Sequence, residues 1–137
     1  MEMQITVLIV DDNKLMREAL STILLSGIVN IQIVGNVSNG EEAIDLANKL
    51  QPDLIFMDIN MSPVNGFEAT RKILKQNSSI KIIGFSLHNE KSYAVNMMKL
   101  GAKGYLTKGA SPEEIIEAVK KITKGGKYID ARFKGKI

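Results

Sequence analysis

Residues 5–12 read ITVLIVDD, a run of six mostly apolar residues that ends in two adjacent carboxylates. Residues 54–58 read LIFMD and repeat this arrangement, because an apolar run is again followed by an acid. Runs that are continuously apolar, rather than alternating with polar residues, are typical of parallel strands covered on both faces. We therefore predict two buried parallel strands, each of which ends in acidic side chains.

Three further apolar runs of strand length follow along the chain, and segments with helical periodicity separate the runs. These additional strand candidates cover residues 31–37, 80–85 and 104–107. The helix candidates cover about residues 14–25, 40–50, 66–75, 89–100 and 112–124. Strands that alternate with helices predict one α/β domain with a doubly wound parallel sheet and right-handed crossovers. We place this domain at residues 1–125.

Two of the helix starts carry capping signals. Ser111 precedes Pro112, and Glu114 follows at the third helical position, which together predict an N-cap with proline in the first turn. The first helix is expected to begin at a cap formed by Asp12 or Asn13, because short polar side chains accept hydrogen bonds from free backbone N–H groups.

The composition is that of a soluble globular domain. Hydrophobic residues make up 45% and charged residues 24% of the 137 residues, which excludes a disordered or fibrous chain. The chain contains no cysteine, so disulfides, thiol catalysis and thiolate metal sites are excluded. No apolar stretch is long enough to span a bilayer, and the start lacks the pattern of a secretory signal. We expect a cytoplasmic protein that does not associate with membranes.

The positive charge is concentrated at the end of the chain. The formal net charge is +3, and residues 120–137 contain seven basic residues against one acid, Asp130. The remainder of the chain is therefore net acidic. A basic tail of this kind is more typical of a solvated linker than of a nucleic-acid site. We predict that residues 126–137 begin a linker.

Polar and charged side chains stand at the ends of four predicted strands. Asp11 and Asp12 end the first strand, and Asp58 ends the third. Ser86 and Lys108 end the fourth and fifth strands. Ligands of open α/β sheets bind at the carboxyl ends of the strands, so these five side chains are expected to form one site.

The residue types at these strand ends suit phosphoryl chemistry. Three carboxylates in one crevice repel one another unless a cation lies among them, and an oxygen-only set favours Mg²⁺. Lys108 and Ser86 can contact phosphoryl oxygens through a positive charge and a hydroxyl group. Asp58 is the candidate nucleophile, because an aspartate carboxylate can attack phosphorus to form an aspartyl phosphate.

Several stretches of the sequence resemble one known family, the response-regulator receiver (CheY-like) domains of bacterial two-component systems. The resemblance covers residues 5–125 and is carried by VLIVDDN (7–13), DLIFMDINM (53–61), Gly66, Phe85-Ser86 and GAKGYLTK (101–108). It implies a flavodoxin-like fold, with a five-stranded parallel sheet in the order 2-1-3-4-5 and five helices on both faces.

The resemblance also implies a role for each site residue. Asp58 would accept a phosphoryl group from a phosphohistidine on a sensor histidine kinase. Asp12 and Asp58 would bind Mg²⁺, or Mn²⁺ in its place, together with the backbone carbonyl of Asn60, while Asp11 would act through water. Lys108 would contact the phosphoryl group.

Other positions would control the response and its lifetime. In this family, Ser86 would move toward the phosphoryl group after transfer, and Tyr105 would follow inward as a switch. Asn60 and His88 would flank the hydrolytic water and tune the phosphoryl lifetime. Such a domain is a phosphoacceptor that promotes only its own phosphorylation and dephosphorylation, and is not otherwise an enzyme.

Two positions depart from the family pattern. The proline that usually follows the methionine after the phosphorylated strand is displaced by one residue, since Ser62 precedes Pro63 here. Gly109 follows Lys108 where many receivers have a proline. We expect an altered loop at the first position and a looser turn at the second, with the site retained.

Within the family, the resemblance is to the NarL/FixJ-type subfamily with LuxR-type outputs. It rests on VGNVSNGEEA (34–43) and GGKYID (125–130). Members of that subfamily join the receiver through a linker to a helix-turn-helix domain that this sequence does not contain. DNA binding would therefore occur only through an output domain absent from this chain, with homodimerisation on phosphorylation. The alternative is a free-standing receiver.

Three other functions use related folds. A phosphatase of the haloacid dehalogenase type would need an Asp-x-Asp motif after the first strand, and Asp11-Asp12 lacks that spacing. A flavin-binding module would need a hydroxyl-rich phosphate loop at the same place. A degenerate receiver that only docks proteins is disfavoured because all five site positions are filled.

Overall fold

A parallel sheet of six strands forms the centre of the molecule, in the order β2-β1-β3-β4-β5-β6. The computed structural model describes residues 4–87 and 90–133. The strands are β1 (Ile5–Val10), β2 (Ile31–Val37), β3 (Leu54–Asp58), β4 (Lys81–Ser86), β5 (Gly104–Thr107) and β6 (Tyr128–Ile129). The helices are α1 (Lys14–Gly27), α2 (Gly40–Leu50), α3 (Gly66–Gln76), α4 (Lys91–Leu100) and α5 (Pro112–Thr123), and a 3₁₀ turn covers Ala131–Phe133.

The helices cover both faces of the sheet, as the doubly wound prediction requires. Side chains alternate along each strand, so Leu8 of β1 belongs to the core cluster that includes residues of α2, α3 and α4, whereas Ile9 belongs to the cluster that includes residues of α1 and α5. The strands next to the middle of the sheet are buried on both faces, which explains their continuously apolar sequences. The edge strand β2 is only partly buried.

The capping residues define two helix starts as predicted. The Asn13 side chain accepts a hydrogen bond from the Met16 N–H at 3.1 Å, so Asn13 rather than Asp12 caps α1. Ser111 accepts one from the Glu114 N–H at 3.1 Å and is followed by Pro112. Within the described ranges, no helix has the length and apolar character needed to cross a membrane.

Within residues 4–87 and 90–133 the sheet has six strands, and the prediction of five is therefore corrected. After the turn at Gly125, the chain runs parallel to β5 for two residues, with Tyr128 opposite Gly104 and Ile129 opposite Tyr105. A two-residue strand is too short to produce an apolar run that marks it in the sequence. The strand order 2-1-3-4-5 is confirmed, and the sheet continues past the predicted domain boundary at residue 125.

The loop between β3 and α3 returns tightly to the end of β3. The Gly66 N–H donates to the Ile59 carbonyl at 2.8 Å, and a Cβ atom at Gly66 would lie 2.2 Å from the Asp58 carbonyl oxygen. Only glycine allows this approach. The displaced proline is accommodated inside the loop, where the Ser62–Pro63 peptide bond is cis.

Candidate functional site

Four strands bring their carboxyl ends together at one edge of the sheet. Asp58 is the last residue of β3 and pairs with Phe85, and Ser86 is the last residue of β4 and pairs with Thr107. Asp11 directly follows β1, and Lys108 directly follows β5. The strand ends predicted to carry the chemistry are therefore adjacent in the folded sheet.

Three carboxylates form the floor of this site. Asp11, Asp12 and Asp58 each present one oxygen, and these three oxygens all lie within 4.8 Å of one another. Asp11 and Asp58 are 2% and 3% exposed, whereas Asp12 is exposed to solvent. The cluster is therefore buried on one side and open on the other.

The Lys108 ammonium group lies between the two buried carboxylates. Its Nζ is 2.8 Å from Asp11 Oδ2 and 3.3 Å from Asp58 Oδ1, and its side chain is 6% exposed. The Lys108 N–H donates to the Ser86 carbonyl at 2.8 Å, which fixes the start of the turn after β5. One buried cation therefore faces two buried anions.

The site is short of positive charge. Burial, and then the charge of Asp11, raise the pKa of Asp58 from 3.8 to about 6, although Lys108 opposes the shift. A single ammonium group does not compensate for the loss of water and for the neighbouring carboxylates. Asp58 therefore binds a proton or a cation more readily than an ordinary surface aspartate.

The donor set fits a hard divalent cation. The carboxylates are oxygen ligands, no cysteine is present in the sequence, and an exposed carboxylate leaves room for bound water. Asp11 is held in place by its neighbours, since its Oδ1 accepts from the Asn13 N–H at 2.9 Å and its carbonyl accepts from Arg17 at 2.6 Å. These contacts leave the Oδ2 side of Asp11 facing Lys108 and the site.

The predicted switch residues are in contact with one another. Ser86 and Tyr105 are both fully buried. Burial raises the pKa of the Tyr105 phenol to about 12, while a hydrogen bond with the Ser86 hydroxyl opposes that shift. The Tyr105 ring also packs edge-on against Phe133, with ring centroids 5.9 Å apart. Tyr105 is therefore already in an inward position in this structure.

Of the two residues predicted to tune the phosphoryl lifetime, the structure describes Asn60 but not His88. Asn60 is exposed in the turn after β3, two residues beyond Asp58. His88 lies outside the described residues. Gly109, where the sequence predicted a looser turn, lies against the guanidinium group of Arg132, because a Cβ atom there would be 2.9 Å from Arg132 Nη2.

One buried acid beside the site was missed by the sequence analysis. Asp130 is 1% exposed, and its Oδ2 accepts from both the N–H and the hydroxyl of Thr107, the residue before Lys108. In the sequence, Asp130 was interpreted only as the single acid of a basic tail. The available signal was that Tyr128-Ile129-Asp130 repeats the pattern of a strand followed by an acid.

Comparison with known proteins identifies the family. A family model described as the response regulator receiver domain matches residues 7–120. The chain belongs to the response-regulator receiver family. The family match decides against the phosphatase and flavin alternatives.

The curated relatives of this receiver are response regulators. It is 41% identical over 128 residues to the transcriptional regulatory protein DegU of Brevibacillus brevis, covering 93% of this chain and 54% of that protein. It is 39% identical over 129 residues to the response regulator GacA of Pseudomonas aeruginosa, covering 94% of this chain and 60% of that protein. The receiver thus spans between half and two thirds of the length of these relatives.

Solved structures agree with this assignment. A LuxR-family two-component response regulator from an Aurantimonas species has a TM-score of 0.86 at 28% identity, over 91% of this chain and 89% of that chain. The receiver domain of the response regulator NarL from Mycobacterium tuberculosis has a TM-score of 0.82 at 26% identity, over 90% and 99%. The similarity is to receivers of the NarL/LuxR type, as the sequence predicted.

Proposed function

We propose that this receiver is a phosphorylation-activated switch in which Asp58 accepts a phosphoryl group from a sensor histidine kinase. The observation that carries the proposal is the Lys108 ammonium group, 3.3 Å from Asp58 Oδ1 and 2.8 Å from Asp11 Oδ2 in a buried crevice. A buried ammonium group beside a strand-end carboxylate supplies the charge that an incoming phosphoryl group requires.

The proposed reaction transfers one phosphoryl group and needs no other reactant. An Asp58 carboxylate oxygen attacks phosphorus, and the P–N bond of the donor phosphohistidine breaks as the imidazole leaves with the electron pair. The Lys108 ammonium group neutralises charge on the transferred oxygens, and the Ser86 hydroxyl can donate to one of them. The product is an acyl phosphate on Asp58.

The carboxylate cluster is the proposed site for Mg²⁺, or Mn²⁺ in its place. Asp12, Asp58 and the backbone carbonyl of Asn60 would hold the ion directly, and Asp11 would hold it through water. When bound, the ion neutralises charge on the phosphoryl oxygens during transfer. The raised pKa of Asp58, about 6, supports a site that is stabilised by added positive charge.

Phosphorylation is proposed to act through Ser86 and Tyr105. A phosphoryl group on Asp58 offers new acceptor oxygens to the Ser86 hydroxyl, which now contacts Tyr105. Such a local change biases an element with two arrangements. Asn60 and His88 are proposed to set how long the phosphoryl group survives, and an unchanged dephosphorylation rate from pH 6 to 8 in His88→Ala would rule out the role of His88.

The proposed output is transcription regulation through a second domain. This rests on the curated relatives, which are roughly twice as long as the matched region and include a protein named as a transcriptional regulator. Residues 126–137 would form the start of a linker to a DNA-binding output domain, and phosphorylation would favour a homodimer. The receiver itself is proposed to be cytoplasmic and to act at neither a membrane nor an external substrate.

The test is the intact mass of the protein after incubation with Mg²⁺ and a small acyl phosphate. We expect one added phosphoryl group in the wild type and none in Asp58→Asn or after removal of the metal by a chelator. Asp53→Asn is a matched control, because Asp53 precedes the same strand at its opposite end. It is expected to gain the phosphoryl group normally.

Two outcomes would contradict the proposal. A wild-type protein that gains no phosphoryl group would favour the docking-module alternative. Gain of a phosphoryl group by Asp58→Asn at the wild-type rate would place the acceptor elsewhere. A free-standing receiver would be indicated if the natural chain ended near residue 137.

A further inference from the structure

The chain after α5 is attached to β5 along its outer edge. The Tyr128 N–H donates to the Lys103 carbonyl at 3.0 Å, and the Asp130 N–H donates to the Tyr105 carbonyl at 2.8 Å. Phe133 packs on the Tyr105 ring, and Arg132 lies against Gly109. We call residues 128–133 the edge segment. It contacts β5 and the turn that carries Lys108.

The strongest of these contacts is made by a buried carboxylate. Asp130 Oδ2 accepts from the Thr107 N–H at 2.8 Å and from the Thr107 hydroxyl at 3.0 Å, while Oδ1 accepts from the Arg132 N–H at 3.0 Å. β6 ends at Ile129, so the Asp130 side chain supplies the acceptor that strand backbone would otherwise offer to the last residue of β5. Hydrogen bonds to a buried carboxylate are among the stronger ones in proteins.

Thr107 directly precedes Lys108, so its orientation determines how Lys108 leaves the strand. The Lys108 Nζ reaches two different carboxylates, at 2.8 Å and 3.3 Å, and both its N–H and its side chain are fixed. Small displacements of a group that must meet a transferring phosphoryl group reduce the reaction rate steeply. Two hydrogen bonds on Thr107 restrict such displacements.

We propose that Asp130 is a positioning residue for phosphoryl transfer, which holds Thr107 and thereby aims Lys108 at Asp58. This inference rests on the proposed function and assigns part of the reaction geometry to the chain beyond α5. Asp130 does not touch the reacting atoms. Its effect would reach the site through Thr107, the peptide bond between Thr107 and Lys108, and the Lys108 side chain.

The test compares the initial rate of phosphorylation by a small acyl phosphate in wild type and Asp130→Ala, with Mg²⁺ affinity measured in parallel by calorimetry. We expect Asp130→Ala to react about tenfold more slowly with an unchanged Mg²⁺ affinity, because the carboxylate cluster is untouched. Asp130→Asn should recover most of the rate, since its amide oxygen can still accept from Thr107.

Two controls separate positioning from a loss of structure. Tyr128→Phe removes a 2.9 Å hydrogen bond from the Tyr128 hydroxyl to Glu114, which attaches the same edge segment to α5 rather than to β5. It should leave the rate within about twofold of wild type, because Thr107 keeps both hydrogen bonds to Asp130. In a Lys108→Ala background, adding Asp130→Ala should cause no further loss, because the two residues act through the same group.

The results that overturn the inference are distinct from those that overturn the proposed function. If the wild type is not phosphorylated, both the proposed function and the inference about Asp130 are refuted. If the wild type is phosphorylated and Asp130→Ala reacts equally fast, only the inference about Asp130 is refuted. The same holds if Asp130→Ala slows the reaction by the same factor in the Lys108→Ala background as in the wild type. If Asp130→Ala does not fold, Thr107→Val removes the hydroxyl bond alone, and an unchanged rate in that variant would also overturn the inference.

Discussion

The strand β3 is flanked by two aspartates that have opposite surroundings. Asp53 precedes the strand and is exposed, and its Oδ2 accepts from the N–H and the hydroxyl of Thr6 at 2.9 and 3.1 Å. Asp58 ends the strand and is buried beside Asp11, with the ammonium group of Lys108 opposing the rise in its pKa. The two carboxylates are five residues apart in sequence.

The two ends of one parallel strand thus place one aspartate among hydrogen-bond donors and the other beside a buried carboxylate, Asp11. The Asp53 carboxylate accepts two hydrogen bonds from Thr6 of β1 and so links the starts of two neighbouring strands. Asp58 is buried near the carboxylates of Asp11 and Asp12, and its raised pKa favours binding of a proton or a cation. The predictions below test whether this contrast holds.

The largest expected effect is on phosphoryl transfer when the buried ammonium group is removed. Lys108→Ala should lower the rate of phosphorylation by a small acyl phosphate by about 100-fold, comparable to the effect of removing one transition-state hydrogen-bond donor from an enzyme. Asp53→Asn should leave the rate unchanged. Intact-mass time courses measure both, and a Lys108→Ala rate within a few-fold of wild type would show that Lys108 is not used in the transfer.

The second prediction concerns folding stability without metal. The pKa of Asp58 is 3.8 in the unfolded chain and about 6 in the folded one, so the folded state holds more protons between these values. Stability therefore falls as pH rises from about 4 to 6, and the full penalty applies above pH 6. At pH 7.5, Asp58→Asn should be about 1–3 kcal/mol more stable than wild type, after allowance for solvent screening.

Urea denaturation in a chelator at pH 4 and pH 7.5 measures this difference. The advantage of Asp58→Asn should be much smaller at pH 4, where the wild-type carboxyl is protonated in the folded state and only partly ionised in the unfolded chain. A wild type that is as stable as Asp58→Asn at pH 7.5 would show that the burial of Asp58 carries no penalty.

The third prediction is the pH dependence of metal binding. A carboxylate must lose its proton to bind a cation, so Mg²⁺ affinity should be constant above pH 7 and fall by about tenfold for each pH unit below 6. Calorimetric titrations from pH 5 to pH 8 measure this profile. Asp53→Asn should give the same profile, and a constant affinity down to pH 5 would contradict a raised pKa at Asp58.

The smallest expected effect is at the structural acid. Thr6→Val removes the hydroxyl that donates to Asp53 Oδ2 and accepts from the Asp53 N–H at 2.9 Å. The loss should be about 1 kcal/mol of unfolding free energy, because the site is exposed and water replaces part of the interaction. Phosphorylation should be unaffected. A change in phosphorylation rate would mean that the two ends of β3 are coupled.

The sequence predicted most of this fold because its main strands are continuously apolar and two of its helices begin at recognisable caps. The five long strands, their order and the five helices are confirmed. β6 could not be predicted from an apolar run, because it has two residues and owes its existence to the free edge of β5. Asn13 and Asp12 are both suitable caps by residue type, and only the local backbone decides between them.

The sequence predicted the site residues that stand at strand ends. It did not predict the residue that reaches the site through the packing of later elements. Asp11, Asp58, Ser86 and Lys108 are brought together by the register of neighbouring strands, which follows from the order of the sheet. Asp130 is twenty-two residues beyond Lys108 and is brought to β5 only by α5 and the following turn. The short strand-then-acid pattern of Tyr128-Ile129-Asp130 was the only signal of its position that the sequence analysis could have used, and the pattern does not show that Asp130 contacts Thr107.

The contact between Gly66 and the Asp58 carbonyl has a consequence for how this sequence can diverge. The ends of the β3–α3 loop are fixed, because any side chain at Gly66 would collide with the backbone of Asp58. The identities of the residues between these ends are less constrained, since Pro63 stands one position later than in the usual family pattern. Substitutions should therefore accumulate within the loop during evolution, whereas the number of residues between Asp58 and Gly66 should drift very little.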